Sequence, residues 1–429
     1  MTHLSRRPRI LFVNRSYWPD VEATGQLLAE LCEDLAADFD VHVVCGQPRK
    51  VVEGVHFRPT GQSIRNGVTI HRVRHSRFDK ASFAGRLVNM LTFQAACTWK
   101  TLRAPRPDVV VTETDPPLLC LLGGLLKRLR RTPLVCYLQD VYPDVAVALG
   151  KLRPGLVART LRRAFFAVYR SSDAVVVLSE DMRRLIAAGG VDAERIHVIR
   201  NWVDLDAVYP VKQDNSFRRE HGLVGKFVVM YSGNIGLSQR LEQVIEAAAL
   251  LRDRDDIVLA MVGDGADRRR LQRVAAEKNL PNVRFFDYQP KSQLAESLSA
   301  ADVHLVVLRP EVKQLLMPSK LYGVLASGTP AIALADAECE LAATVSENDL
   351  GLVTAPDDTR ALAAAIERYA DEPELVARQG DNARAYAAGH CSRETSAAAI
   401  SSLLTRLVCQ PVALPIPAGP QSAVCGPAR

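Results

Sequence analysis

The sequence predicts an α/β protein built from two doubly wound domains. Short β-branched apolar runs recur along the chain, each followed by a helical stretch. The pattern restarts after a polar segment, and at 429 residues the chain exceeds one ordinary domain of about 150 residues. Buried parallel strands read as continuous apolar runs, and their alternation with helices marks βαβ units.

In the first half the runs are "RILFVN" (Arg9–Asn14), "VHVVCG" (Val41–Gly46), "VTIHRV" (Val68–Val73), "DVVVTE" (Asp108–Glu113), "LVCYLQD" (Leu134–Asp140), "AVVVLS" (Ala174–Ser179) and "IHVIRN" (Ile196–Asn201). Polar chain follows from Val208 to Lys226. Then come "FVVMYSGN" (Phe227–Asn234), "IVLAMVGDG" (Ile257–Gly265), "NVRFFDY" (Asn282–Tyr288), "VHLVVL" (Val303–Leu308), "PAIALA" (Pro330–Ala335) and "LGLVTA" (Leu350–Ala355). This gives a first domain over 1–205 and a second over 206–385, with a cleft between them. Ligands of such sheets bind beyond the carboxyl ends of the strands. The Pro- and Gly-rich tail, 409–429, is expected to be disordered.

Composition narrows the function. The nine cysteines form no CxxC pair, and no His cluster has metal-ligand spacing, so disulfides and structural zinc are not expected. The longest apolar run, Pro117–Leu126, is far short of the ~20 residues of a spanning helix. A strand follows the basic start at once, so no secretory leader is expected. Charge is uneven: Arg49 to Arg106 carries twelve Lys/Arg and two acids in a chain of net +6. Such a segment points to an anionic surface partner. Within it, Phe83, Leu87, Met90, Leu91 and Trp99 fall near helical spacing among Arg74, Arg77, Lys80 and Arg86. That fits a helix lying on an anionic membrane. A core helix with a charged rim fits as well. Nucleic acid is not expected, since no motif interleaves aromatic and basic residues.

Four stretches could carry chemistry. Thr24-Gly25 precedes an amphipathic helix with Leu27, Leu28, Leu31 and Leu35 on one face. Its free N–H groups suit an anion, although a plain βα turn fits equally. In "YSGNIGLSQRL", Gly233 and Asn234 follow a strand and Arg240 sits at a helix start. A cation there opposes the helix dipole unless an anion lies between them; the alternative is a solvated arginine. "VGDGADRRRLQ" repeats the junction, with Asp264 or Asp267 as cap and Arg268, Arg269 and Arg270 as a solvated face. Tyr288 at a strand end lines a base pocket or simply packs. Finally "MPSKLYGVLASGTP" opens a helix with Ser319 and Lys320, an arrangement suited to phosphate oxygens.

Taken in order, "YWPDVEATGQLLAEL", "TETDPPLLCLLGG", "LQDVYPDVAVALG", "VIRNWVD", "YSGNIGLSQRLEQVIEAAALL", "VGDGADRRRLQ" and "MPSKLYGVLASGTP" resemble a retaining glycosyltransferase of family 4 with the two-domain GT-B architecture. The likeness is strongest to the subgroup serving bacterial capsule, O-antigen and colanic-acid-type polysaccharide synthesis. It implies two Rossmann-like domains facing a central cleft, the first binding acceptor and the second a nucleotide-sugar, usually a UDP-sugar. Arg240 and Lys320 would face the donor pyrophosphate, with backbone near Gly25, Gly233, Asn234 and Ser319. Tyr288 would touch the base, and Tyr322 would contribute to the donor site. A helix over 386–408 would cross back to the first domain. The resemblance implies no cofactor and no metal, cationic side chains serving instead. It also implies a lipid-linked or glycan acceptor and a cytoplasmic protein at the inner face of the membrane.

Two departures stand out. The family's paired glutamates fall at Leu315 and Gly323 here, with Glu311 out of register. Many relatives place a histidine where this chain has "LQDVYPD", and Asp140 is the candidate to replace it, with helix capping as the alternative. Since the sequence offers no convincing double-displacement nucleophile, same-face attack with retention is expected. Two rivals remain: a nucleotide-sugar 2-epimerase on the same fold, which would need several cleft acids and no acceptor, and a non-catalytic anion- or membrane-binding relative.

Overall fold

A computed structural model describes residues 6–48, 51, 55–79, 83–211 and 214–409. The basic residue Lys80 and the tail 410–429 lie outside these residues. The first sheet contains β1 (Arg9–Val13), β2 (Asp40–Cys45), β3 (Gly61–Arg65), β4 (Val68–Arg72), β5 (Val109–Thr112), β6 (Leu134–Tyr137), β7 (Ala174–Val177) and β8 (Ile196–Val198). Its order is β3-β4-β2-β1-β5-β6-β7-β8, parallel except for β3 against β4. The second sheet is fully parallel: β9 (Phe227–Ser232), β10 (Ile257–Val262), β11 (Val283–Phe286), β12 (Val303–Val307), β13 (Ala331–Leu334) and β14 (Gly351–Thr354). Its order is β11-β10-β9-β12-β13-β14. In each sheet the strand order reverses beside the first strand, and a crevice opens there.

Every strand expected from an apolar run is present. The expectation missed β3, whose residues Gly61, Gln62, Ser63, Ile64 and Arg65 are polar but for one. A hairpin signal was available: Asn66-Gly67 between β3 and β4 takes φ of 45° and 81°, as a two-residue turn between twisted strands requires. The polar, exposed edge strand discourages further pairing.

Helices cover the sheets because the central strands are apolar on both faces; Ile10, Phe12 and Val13 have no exposed surface. Helix α1 (Ala23–Leu35) buries Leu28, Leu31 and Leu35 at helical spacing, each contributing roughly 2–3 kcal/mol. Leu27, expected on the same face, instead lines the interdomain cleft. Helix α2 (Phe83–Arg103) turns Leu87, Val88, Leu91 and Trp99 to the outside, with Met90 half-buried. The apolar stripe of this basic segment is thus an outward ridge, and Phe93 and Cys97 make its core face. Helices α3 (Leu119–Arg130), α4 (Asp144–Ala148) and α5 (Leu156–Ser171) follow β5 and β6.

The last helix, Arg393–Cys409, packs on α1 of the first domain. Arg393 grips Asp34 through two bonds of 2.7 Å. Elsewhere the domains meet through Arg200–Glu340 (2.7 Å) and Val141 N–H to the Leu315 carbonyl (2.8 Å). The eight cysteines within the described residues are all free. Among the described residues no helix is long and apolar enough to cross a membrane.

Candidate active site

The carboxyl ends of β9 and β10 form one wall of the cleft. Two glycine loops stack there backbone against backbone. A Cβ on Gly263 would lie 2.0 Å from the Gly233 carbonyl oxygen, and both residues have positive φ (133° and 140°). Only glycine fits such a contact. Tyr231, at the end of β9, anchors its hydroxyl on the Asn234 carbonyl (2.9 Å). Its ring lies under the ammonium of Lys320, 3.7 Å from the centroid.

Lys320 begins the helix Lys320–Ala326, with Ser319 exposed just ahead of it. Among the described residues no carboxylate pairs with Lys320; the Tyr231 ring is its electrostatic partner. Burial lowers its pKa to about 7, since a desolvated ammonium without a counter-ion loses its proton easily. The residue keeps one partly exposed flank on the cleft. An anion placed there would restore both charge balance and proton.

The facing wall comes from α1 and the chain after β8: Ala23, Gln26, Leu27, Glu30 and Trp202. Trp202 Nε1 donates to Glu30 (2.9 Å), and Glu30 also pairs with Lys291 of the second domain. Together the walls enclose about 480 Å³, the size of a small-ligand site. Gly323 lines it with open space: a Cβ there would meet only Leu298, at 3.4 Å. No side chain therefore reaches in from that position.

The cleft gathers Gly233, Asn234, Tyr288, Ser319 and Lys320. The other expected residues lie elsewhere. Gly25 is buried against its own domain; a Cβ would stand 2.4 Å from Ser16 Oγ, so it serves close packing of α1 on the loop after β1. Arg240 takes φ of 48° and aims its guanidinium at Glu311 (3.0 Å) and Asp357 (3.7 Å), while its neighbour Gln239 faces the cleft. Tyr322 is buried on the opposite side of the helix from Lys320, as two residues at about 100° each require. Arg200 and Glu340 neighbour it there. Asp264 and Asp267 form no side-chain cap; Asp267 is taken by Arg270 (2.7 Å). Arg268 pairs with Asp287 (2.7 Å) and is not simply solvated.

Asp140 follows β6 where the domains touch, its backbone bridged to Leu316. It caps no helix: Pro143 holds the N-cap of α4, without a side-chain bond. Burial raises its pKa to about 6, Asp115 adding to the shift and Lys151 opposing it. Four residues after Leu316 comes Lys320, so one segment joins the Asp140 contact to the cleft cation. Just after β5, Glu113 is buried, and burial with the charge of Asp115 raises its pKa to about 8. Sequence reasoning missed Tyr231, Glu30 and Trp202; the first two stand in a strand and a helix that were read correctly, and Trp202 lies in the connection after β8. Among the described residues no three His, Cys, Asp or Glu side chains gather as a metal site.

Two family models match this architecture half by half. "Glycosyl transferase 4-like domain" covers residues 23–202, and "Glycosyl transferases group 1" covers 213–386. The probable glycosyltransferase WbjE of Pseudomonas aeruginosa is 32% identical over 273 residues, 63% of this chain and 68% of that protein. The chain belongs to the family 4 glycosyltransferases. A putative colanic acid biosynthesis glycosyl transferase of Escherichia coli, WcaI, is 29% identical across 88% of this chain and 95% of its own. Sucrose-phosphate synthase from Thermosynechococcus elongatus superposes with a TM-score of 0.75 at 21% identity, covering 94% of this chain and 99% of that one. WaaG, a glycosyltransferase involved in lipopolysaccharide biosynthesis, gives 0.66 at 18% identity, covering 91% of this chain and 99% of its own. These likenesses establish the GT-B fold of this glycosyltransferase.

Proposed function

We propose that this glycosyltransferase moves a hexosyl or N-acetylhexosaminyl unit from a UDP-sugar to a hydroxyl of a lipid-linked glycan, with retention, in bacterial surface polysaccharide synthesis. Lys320 carries the reading. A cation with no acid beside it, at the strand ends of the second domain and next to Gly233, is incomplete without an anion. The donor diphosphate completes it, and the proton Lys320 gains neutralises charge growing on the leaving phosphate. One preorganised donor of this kind supplies about 3–4 kcal/mol. Tyr288, exposed at the rim, faces the base. The Anabaena protein HepE, of the same fold at 17% identity, was solved with UDP, and WcaI is named for colanic acid.

Asp140 acts at the reacting centre, orienting the acceptor hydroxyl; the leaving phosphate takes the acceptor proton on the same face. No divalent ion is required in this reading, because Lys320 supplies the positive charge; Asp204-Leu205-Asp206 stands at the cleft, but Asp204 Oδ1 is taken by the N–H groups of Asp206 and Ala207. The outward ridge of α2, with Arg74, Arg77 and Arg86 around it, seats the first domain on an anionic bilayer, at the inner face of the cell membrane. The decisive experiment is a thermal-shift screen of nucleotide-sugars, followed by transfer assays with and without EDTA. A UDP-sugar should raise the melting temperature of the wild type but not of Lys320→Met. Equal shifts in both proteins, or loss of transfer in EDTA restored by magnesium, would remove the reading or its metal-free form respectively.

A further inference from the structure

A second cavity, of about 470 Å³, lies between α4–α5 of the first domain and the 310–315 segment of the second. It shares no lining residue with the donor cleft. Its wall at Leu315 is the residue whose carbonyl holds Val141, next to Asp140. Whatever fills it therefore lies against the segment that holds the chain at Asp140 and Val141.

Its charges do not cancel. Asp144 pairs with Arg162 (2.8 Å). Glu311 is shared by Arg240 (3.0 Å) and Arg309 (3.2 Å), and Lys313 is turned to Asp336 (2.8 Å). Arg159 also lines the cavity and forms no ion pair among the described residues. The Arg162 guanidinium lies over the Phe166 ring, 4.3 Å from its centroid, which fixes its direction. The cavity thus presents an unspent cation beside a braced one. At its mouth, α5 begins with Leu156 and Val157, 75% and 65% exposed. Both face water within one turn of Arg159, although Ala158, between Val157 and Arg159, is buried. A helix end that shows aliphatic carbon to water and an exposed arginine along the cavity matches a ligand with an anionic head and an apolar tail.

We propose that this cavity holds the phosphate of a lipid-linked acceptor, with Arg159 and Arg162 on the phosphate oxygens and Leu156 and Val157 against the first carbons of the lipid. This rests on the lipid-linked acceptor proposed above and names its site. The chemistry recognised is a phosphate ester or diphosphate; the exposed leucine and valine commit it to the lipid-borne form.

The test uses farnesyl diphosphate, titrated calorimetrically into the full chain with UDP saturating the donor cleft. Inorganic pyrophosphate and farnesol are the comparison arms. Farnesyl diphosphate should bind, farnesol should not, and Arg159→Gln should weaken binding about tenfold, the worth of one charge-assisted contact. Arg159→Lys should recover part of that loss. Leu156→Ser with Val157→Ser should weaken farnesyl diphosphate but not pyrophosphate. Equal affinity in wild type and Arg159→Gln would overturn the phosphate site, and pyrophosphate binding as tightly as farnesyl diphosphate would overturn its lipid half. UDP binding is measured first. Its absence would sink the donor reading alone, since the effect of Arg159→Gln on farnesyl diphosphate can still be read without it.

Discussion

Each domain opens with an apolar strand running into a turn and a helix, yet the two junctions differ in electrostatics. After β1, Arg15 is surrounded by Asp20, Glu22 and Asp115. Burial alone would lower its pKa, but Asp115 and Glu22 outweigh that and raise it. Gly25 there is pressed onto Ser16 and leaves no room for a ligand. After β9, Gly233 lies beside the ammonium of Lys320 on one wall of the cleft, and among the described residues no acid pairs with that ammonium. A glycine before a helix does not identify an anion site. An unbalanced buried charge does, because folding has left its desolvation uncompensated.

The comparison breaks most sharply at Lys320. Lys320→Met should cost about 10²–10³ in turnover while the protein melts no lower than wild type. The stability sign follows from its pKa, which falls from 10.5 to about 7 in the fold. Between those values the unfolded chain binds the extra proton, so this group's penalty is full below pH 7 and fades as pH rises towards 10.5. The variant should therefore gain more in melting temperature at pH 6 than at pH 10. Melting lower at pH 6 would mean that Lys320 has a structural counter-charge.

Asp140→Asn should lose at least about tenfold in turnover with the fold intact. Its pKa rises from 3.8 to about 6 on folding, so the carboxylate costs stability above pH 6 and nothing below 3.8. The amide should be at least as stable at pH 7.5, and near-normal kinetics would return Asp140 to structure.

UDP affinity itself should fall with pH, by up to tenfold per unit above pH 7, as Lys320 loses its proton in the free protein. Calorimetry in buffers of different ionisation heat should register proton uptake on binding, and Lys320→Met should abolish the slope. The two glycines sharpen the contrast. Gly25→Ala should destabilise by about 1–3 kcal/mol through overpacking, measured in urea, and leave UDP affinity alone. Gly233→Ala, at φ 140° and 3.4 Å from the ammonium, should weaken UDP several-fold. The smallest effect belongs to the surface: Arg74, Arg77 and Arg86 changed to Glu should reduce co-sedimentation with anionic vesicles, on the order of 1 kcal/mol per residue.

Much of this was legible in sequence because burial on both faces leaves an unbroken apolar trace, which is how all but one strand declared itself. The polar edge strand Gly61–Arg65 leaves none. Five cleft residues were found because strand-end glycines and helix starts are local signals. Arg240 lies off the cleft because Glu311, 71 positions away, and Asp357 hold its guanidinium, and no neighbour in sequence announces them. Tyr322 was misplaced although helical spacing alone sets it opposite Lys320. Charge balance was out of reach, since Arg15 and Asp115 lie 100 positions apart and meet only in the fold.

The chain passes between the domains twice, after β8 and before the last helix, and the two passages are bonded to each other: Val203 N–H meets the Cys391 carbonyl at 3.0 Å. Two passages fixed side by side make one hinge line, and rotation about it stretches neither covalent connection. Glu30 sits on that line: its carboxylate accepts from Trp202, beside Val203, and its carbonyl accepts from Arg393, two residues after Cys391. Its pairing with Lys291 of the second domain is partly exposed, of a kind seldom worth more than about 1 kcal/mol. Away from the hinge the domains are held by the Val141 N–H on the Leu315 carbonyl and the bridge between Asp140 and Leu316, so a swing about the hinge has to part the very contact that ties Asp140 to the segment carrying Lys320.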